Sequence, residues 1–320
     1  MPKYRNNLPQ LSGRLFLTDS GLETTLIFKD GIELNQFASF ELLKTENGRR
    51  RLLDYFREHA ATAVDAGVGF VLEAPTWRSN ADWGAKLGYS PAELDALNRR
   101  SIDLLVQVRN EFDAPNSPMP ISGNIGPLDD GYVAGRMTAD DAERLHAPQV
   151  RSFAATEADL VSAFTMTNTE EAIGVTRAAV KAGVPVVISF TVETDGRLPT
   201  GQTLKDAIET VDRETGAAPA YYMINCAHPT HFEQALAAGE PWIERVRGIR
   251  ANASRRSHAE LDSAPDLDDG DPVELGRQYR ALRRSFPQFA VLGGCCGTDH
   301  RHVEQIRLAC SDVTGAEAAE

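Results

Sequence analysis

The sequence predicts a (β/α)8 barrel of the TIM type, a single α/β domain with parallel strands inside and helices outside. Three observations carry this. Short apolar runs rich in Val, Ile and Phe recur eight times along the 320 residues, with amphipathic stretches between them. Eight such units in a chain of this length fit a closed barrel better than an open sheet. Two similar joints, Asp65-Ala66-Gly67-Val68 and Lys181-Ala182-Gly183-Val184, put a glycine where a helix should stop before the next strand.

In chain order the strands are expected at 14–18, 69–73, 119–124, 158–163, 185–190, 220–225, 246–250 and 289–292. Helices are expected at 48–66, 91–112, 139–157, 170–182, 203–214, 229–238 and 273–285, and Cys310 falls in a further helix past the last strand. The start Ser90-Pro91-Ala92-Glu93 combines an N-cap, a proline in the first turn and a Glu at the third position. Residues 254–272 are polar and Asp-rich and read as a long loop after the seventh strand. No linker divides the chain, so 1–320 reads as one barrel domain with short N- and C-terminal tails.

The formal net charge of −13 argues against nucleic acid as a partner and mildly favours cationic small molecules, although solubility is the plainer reading of it. No apolar run reaches the roughly 18 residues that a membrane span needs. Met1 to Gln10 is polar and lacks a signal-peptide core, so a cytoplasmic location is expected. Four cysteines do not make a disulfide framework in a chain this long, and clustered cysteines in a reducing compartment more often bind metal or catalyse. Nothing in the sequence assigns an oligomeric state.

In such a barrel, function gathers at the C-terminal ends of the strands. Those ends are Asp19, Glu73, Asn124, Phe164, Thr191, Cys226, Asn252 and the pair Cys295-Cys296. Three of the four cysteines therefore reach one face. Three thiolates held by rigid strands suit Zn2+ with one open coordination position, and Gly293, Gly294 and Gly297 permit the sharp turn that adjacent ligands need. Buried inert cysteines and a redox pair are the competing readings. His228, His231, His300 and His302 lie close enough in sequence to compete as ligands. Trp77, Trp83, Tyr132 and Phe28 lie in loops on the same face and are candidates for an aromatic cage around a cation.

The motifs resemble the zinc-dependent homocysteine S-methyltransferase family, which includes betaine– and S-methylmethionine–homocysteine methyltransferases. The resemblance rests on Thr18-Asp19-Ser20-Gly21-Leu22-Glu23-Thr24-Thr25-Leu26, Ser122-Gly123-Asn124-Ile125-Gly126-Pro127, Ser189-Phe190-Thr191 followed by Gly201-Gln202-Thr203-Leu204, Ile224-Asn225-Cys226, and Gly293-Gly294-Cys295-Cys296-Gly297. It implies a homocysteine-binding type of barrel in which Cys226, Cys295 and Cys296 hold zinc and a thiol substrate takes the fourth position. It also implies a methyl donor bearing a cationic sulfur or nitrogen. Asp19, Glu23, Glu73, Trp77, Asn124, Phe164, Thr191, Asn225 and Asn252 become expected substrate contacts, with no catalytic group beyond the zinc ligands.

Three departures stand out. The family's usual Asp-Gly-Gly or Asp-Gly-Ala is Asp19-Ser20-Gly21 here. Phe164 stands where the family places a Glu that contacts the amino group of homocysteine, and a phenyl ring cannot accept that hydrogen bond. Either another carboxylate such as Glu73 or Glu23 takes the role, or the acceptor is a different thiol. Beyond Asn252, Ala253-Ser254-Arg255-Arg256 leaves the family pattern, and Arg255 or Arg256 is a candidate contact for a substrate carboxylate. A demethylase acting on another compound, a zinc-dependent thiol-binding protein and a vicinal disulfide switch at Cys295-Cys296 are the alternative readings.

Overall fold

The computed structural model describes residues 1–236, 239–264 and 266–311. Nine strand segments form one parallel sheet: β1 Phe16–Leu17, β2 Gly69–Phe70, β3 Leu72–Glu73, β4 Ile121–Ile125, β5 Leu160–Met166, β6 Val186–Phe190, β7 Tyr221–Asn225, β8 Val246–Ala251 and β9 Val291–Gly294. β1 pairs with both β2 and β9, and β3 pairs with β4. β2 and β3 are two halves of one barrel strand. Along it Phe70 and Leu72 donate to the carbonyls of Pro118 and Pro120, while Val71 donates to Leu17. Pro118 and Pro120 have no N–H to donate in return, so the ladder on that side is one-way and the strand divides. Eight barrel positions therefore close into a (β/α)8 barrel, as the sequence predicts.

The strands are buried on both faces, which is why they are legible as continuous apolar runs. Outside, helices Glu46–Ala66, Pro91–Phe112, Ala139–Ala154, Thr169–Ala182, Leu204–Thr215, Pro272–Ser285 and His300–Cys310 pack on the barrel. Their boundaries follow capping chemistry. Ser90 and Glu93 form a reciprocal capping box in front of Pro91. Gly67 and Gly183 end their helices with φ of 65° and 67°, the left-handed turn that glycine adopts without strain.

Two expectations need correction. The helix expected at 229–238 is only the turn Pro229–Phe232 followed by the 3-10 segment Glu233–Ala235; positions 237 and 238 lie outside the described residues. The backbone leaves α-helical geometry at Phe232, with φ of −121°, and the chain regains the barrel through a second 3-10 turn, Pro241–Arg245. The expected loop 254–272 contains a short capped helix, His258–Asp262, although position 265 is outside the described residues.

The N-terminal segment is docked. Arg5 donates to the carbonyls of Ala154 and Ala158 at 3.0 and 3.1 Å, and Leu8 packs with Phe16, Val71, Leu160, Tyr221 and Val291 inside the lower barrel. That apolar plug leaves only the upper end open. No helix among the described residues is long and apolar enough to cross a membrane.

Candidate metal centre and substrate cavity

Cys226 is the first residue after β7, and its φ of 56° is the left-handed turn. The turn aims its sulfur across the barrel mouth, and its backbone is pinned on both sides. Its N–H donates to Arg250 O at 3.1 Å, while its carbonyl accepts from Asn252 Nδ2 at 3.0 Å and His258 Nε2 at 2.6 Å. Thr191 Oγ1 reaches the same carbonyl at 3.5 Å.

Cys295 and Cys296 follow β9. The Cys295 N–H donates to Ala251 O at 2.8 Å, and Cys296 O accepts from Ala253 N at 3.0 Å. The turn needs its glycines for close approach. A Cβ on Gly293 would sit 2.1 Å from Thr18 Oγ1, and one on Gly294 would sit 2.1 Å from Thr298 Oγ1. The result is that Cys226 Sγ lies 2.9 Å from Cys295 Sγ and 3.5 Å from Cys296 Sγ. These are the three sulfurs the sequence selects, drawn from two separate strands. They form the metal-competent His, Cys, Asp and Glu group found among the described residues.

The thiols are electrostatically coupled. Hydrogen bonds from Cys226 and Cys296, with help from Arg250, pull the Cys295 thiol well below its ordinary range. The same shared hydrogen bonds, with Cys295 the largest cause, push Cys226 up. A metal cation held by the three sulfurs would reverse that crowding by stabilising their thiolates. Tyr132 Oη stands over them, 3.7 Å from Cys226 Sγ and 3.6 Å from Cys296 Sγ. Its ring stacks on His258 with centroids 3.8 Å apart.

Beneath the sulfurs is a cavity with about 110 Å³ of free space, lined by Asp19, Glu23, Glu73, Trp77, Asn124, Phe164, Thr165, Asn225, Arg250 and the three cysteines. Its charge is unbalanced, with three carboxylates against one guanidinium. Arg250 Nη2 lies 3.0 Å from Asp19 Oδ1, and Tyr55 OH donates to Asp19 Oδ2 at 3.1 Å. Burial still raises the Asp19 carboxyl above its ordinary value, opposed chiefly by Arg250. Arg250 also donates to Gly294 O at 3.0 Å and to Ser20 O at 3.1 Å, so it ties β8 to the loops that carry Asp19 and Cys295. Glu23 accepts from Ser39 at 2.8 Å, and burial raises its carboxyl too. Burial pushes the Glu73 carboxyl up to about 7, opposed chiefly by Arg250.

Asn225 acts as a brace. It accepts from Thr165 N at 2.9 Å and Ser189 Oγ at 2.6 Å, and donates to Thr165 Oγ1 at 2.9 Å. Thr165 itself is left-handed at φ 61°, within the register shift between Ala163 and Met166.

A sequence family described as homocysteine S-methyltransferase matches residues 16–310, a span that includes all three sulfurs and every residue lining the cavity. The chain belongs to the homocysteine S-methyltransferase family. Members of this family are thiol methyltransferases, and the chain is an enzyme of that kind. Among solved structures it is similar to the homocysteine methyltransferase MmuM of Escherichia coli. For the oxidised form the identity is 17% with a TM-score of 0.69, covering 94% of this chain and 97% of that one. For the metallated form the identity is again 17%, with a TM-score of 0.68 and coverage of 93% and 96%. At this identity the likeness speaks for the fold.

Of the expected substrate contacts, Asp19, Glu23, Glu73, Trp77, Asn124, Phe164 and Asn225 line the cavity; Thr191 and Asn252 instead support the Cys226 carbonyl from behind. The histidine alternatives are engaged elsewhere: His228 with Thr230, His231 with Arg255 O, His300 with Thr62 and His302 with Asp299. Arg255 pairs with Glu274, and Arg256 with Asp268 at 3.4 Å. Trp83 does not face the cavity. Its ring lies 3.8 Å from the buried guanidinium of Arg78, which also covers Trp77 at 4.1 Å, so the protein supplies its own cation there. Phe28 is 53% exposed and away from the cavity lining. Cys310 is buried in its helix.

Arg250 and His258 are the residues that sequence reasoning missed. Arg250 had one available signal. In Val246-Arg-Gly-Ile-Arg-Ala251 it sits two positions from Gly248, on the same face of a strand in a barrel with a polar mouth.

Proposed function

We propose that this enzyme moves a methyl group from a cationic sulfonium or quaternary ammonium donor to a thiol bound at a zinc centre of Cys226, Cys295 and Cys296, with homocysteine as the acceptor. The observation that carries this is the convergence of three sulfurs at the mouth of a barrel whose cavity is anionic. The donor set fits the metal. Zinc–thiolate bonds of about 2.3 Å in a tetrahedron separate the sulfurs by about 3.8 Å, so the 2.9 and 3.5 Å gaps need only a small opening. The metallated form of the Escherichia coli relative supports a metal in this fold.

Zinc in this site supplies one thing, the thiolate form of a thiol whose ordinary pKa is about 8.5. The chain's own residues do the rest. Asp19, Glu23 and Glu73 give the cavity the negative potential that attracts a cationic donor. Trp77, with Arg78 over one face of its ring, lines the cavity with the other, where a well-placed cation contributes roughly 0.5–2 kcal/mol. Phe164 and the plug below it keep the lower wall dry, and Tyr132, stacked on His258, stands over Cys226 and Cys296. Holding donor carbon and acceptor sulfur about 3–3.5 Å apart and in line accounts for much of the remaining acceleration.

The test is direct. Purified protein is loaded with zinc, given S-methylmethionine or betaine together with homocysteine, and the mixture is assayed for methionine by mass spectrometry. Methionine formed with one zinc per chain supports the reading. Full zinc occupancy with no methylated thiol from either donor overturns it.

A further inference from the structure

The cavity buries polar side-chain atoms that have no partner in the protein. They include Glu73 Oε2 and Asn124 Oδ1, both acceptors, and the Trp77 Nε1–H donor. Leaving a buried polar group unpaired costs about 1–3 kcal/mol, and more for a charged one. A fold that keeps two such acceptors on one wall of a substrate cavity is complementary to a donor that arrives from outside.

Glu73 is held for that purpose. It ends β3, its residue is 4% exposed, and Ser162 donates to its Oε1 at 3.3 Å. Ser162 is in turn hydrogen-bonded to Ser122 at 2.7 Å. One carboxylate oxygen is therefore fixed from behind while the other is bare. Register places Glu73 beside Ser122, and Asn124 lies two residues further along the same face of β4, one level nearer the mouth. The cavity's guanidinium, Arg250, is committed to Asp19, Gly294 O and Ser20 O. Phe164, on the neighbouring strand β5, offers this space a ring and no acceptor.

We infer that Glu73, with Asn124 above it, is the seat for a protonated amine on the acceptor, so that the enzyme selects aminothiols over thiols without an amine. This rests on the thiol-acceptor reading above and adds the residue that discriminates. Asp19 and Glu23 are less suited, because the first is ion-paired and the second accepts from Ser39.

The experiment is calorimetric titration of zinc-loaded wild type and E73Q with homocysteine and with 4-mercaptobutanoate, the same thiol lacking its amine. The glutamine side chain in E73Q keeps the shape and the Ser162 contact while losing the charge. Charge-assisted hydrogen bonds of this type correspond to roughly 10- to 100-fold in affinity. Wild type is expected to prefer homocysteine by that factor. E73Q is expected to lose the preference, with 4-mercaptobutanoate binding unchanged. Equal binding of the two thiols by wild type overturns the inference, and so does full discrimination by E73Q. A parallel loss for both thiols in E73Q shows a structural role only and overturns it too. Failure of the underlying reading looks different: neither thiol then binds the zinc-loaded wild type.

Discussion

Replacing Arg250 with Met probes how the cavity is held together. The guanidinium is buried and faces three acceptors: the Asp19 carboxylate at 3.0 Å, Gly294 O at 3.0 Å and Ser20 O at 3.1 Å. Methionine fills much of the space but leaves a buried carboxylate without its counter-charge. Breaking a buried pair from one side costs roughly 3–5 kcal/mol, a large part of the roughly 5–15 kcal/mol that a domain has in total. The sign with pH follows from Asp19. Its carboxyl is already raised by burial, and losing Arg250 raises it further. A carboxyl raised above its unfolded value contributes stability at low pH that is lost as pH rises through the folded value. R250M is therefore less destabilised at acidic pH than at alkaline pH. The double variant R250M/D19N removes the stranded charge and is expected to regain half the loss or more. Equilibrium urea unfolding of metal-free protein at both ends of the pH range, read as midpoint and slope, measures all three quantities. R250M within about 1 kcal/mol of wild type, or a double variant no more stable than the single one, would refute this electrostatic account.

Serine at Cys226, Cys295 or Cys296 is expected to lower bound zinc below one per chain and abolish thiol methylation, whereas C310S keeps full zinc; metal analysis after dialysis decides this. Gly21→Ala is expected to weaken zinc binding by roughly tenfold or more, because the groups that orient metal ligands commonly carry that much. The new Cβ would sit 2.5 Å from the Cys295 carbonyl oxygen, and chelator competition reads the loss. Glu73 titrates at about 7, raised from an ordinary 4.5 by burial, so it is ionised above that value and neutral below it. The preference for homocysteine over 4-mercaptobutanoate should therefore shrink as pH falls from about 8 to about 6, and thiol ionisation, common to both ligands, cancels. A preference that is flat with pH in wild type would count against Glu73 as the discriminating group.

The parts of the fold that were legible share one cause. Strands buried on two faces leave uninterrupted apolar runs, and capped helices leave Ser90-Pro91 at one end and Gly67 or Gly183 at the other. β5 runs on to Met166, past the apolar segment read for it, because the register shift at Thr165 is made by a partner, Asn225, that no local pattern announces. The segment after Pro229 carries helical composition, yet its backbone leaves the α-helical path at Phe232 and continues as a 3-10 turn. At the site, cysteines after strands can be read locally because their position follows from strand ends. Arg250 cannot. Its burial depends on Asp19 from the opposite end of the chain, and an arginine in isolation reads as surface. Trp83 shows the converse. Its aromatic ring invited a substrate cation, and the cation it holds is the neighbouring Arg78.

The left-handed backbone at Cys226 sets a local cost against the use of its sulfur. A side chain in that conformation costs about 1–2 kcal/mol that glycine would avoid. For the stability of the barrel alone, a glycine at that corner would serve better. A thiol at a conformationally disfavoured point fits a residue placed for what it grips, and a metal ion bound there would, by favouring the folded form, return the stability that the turn gives up.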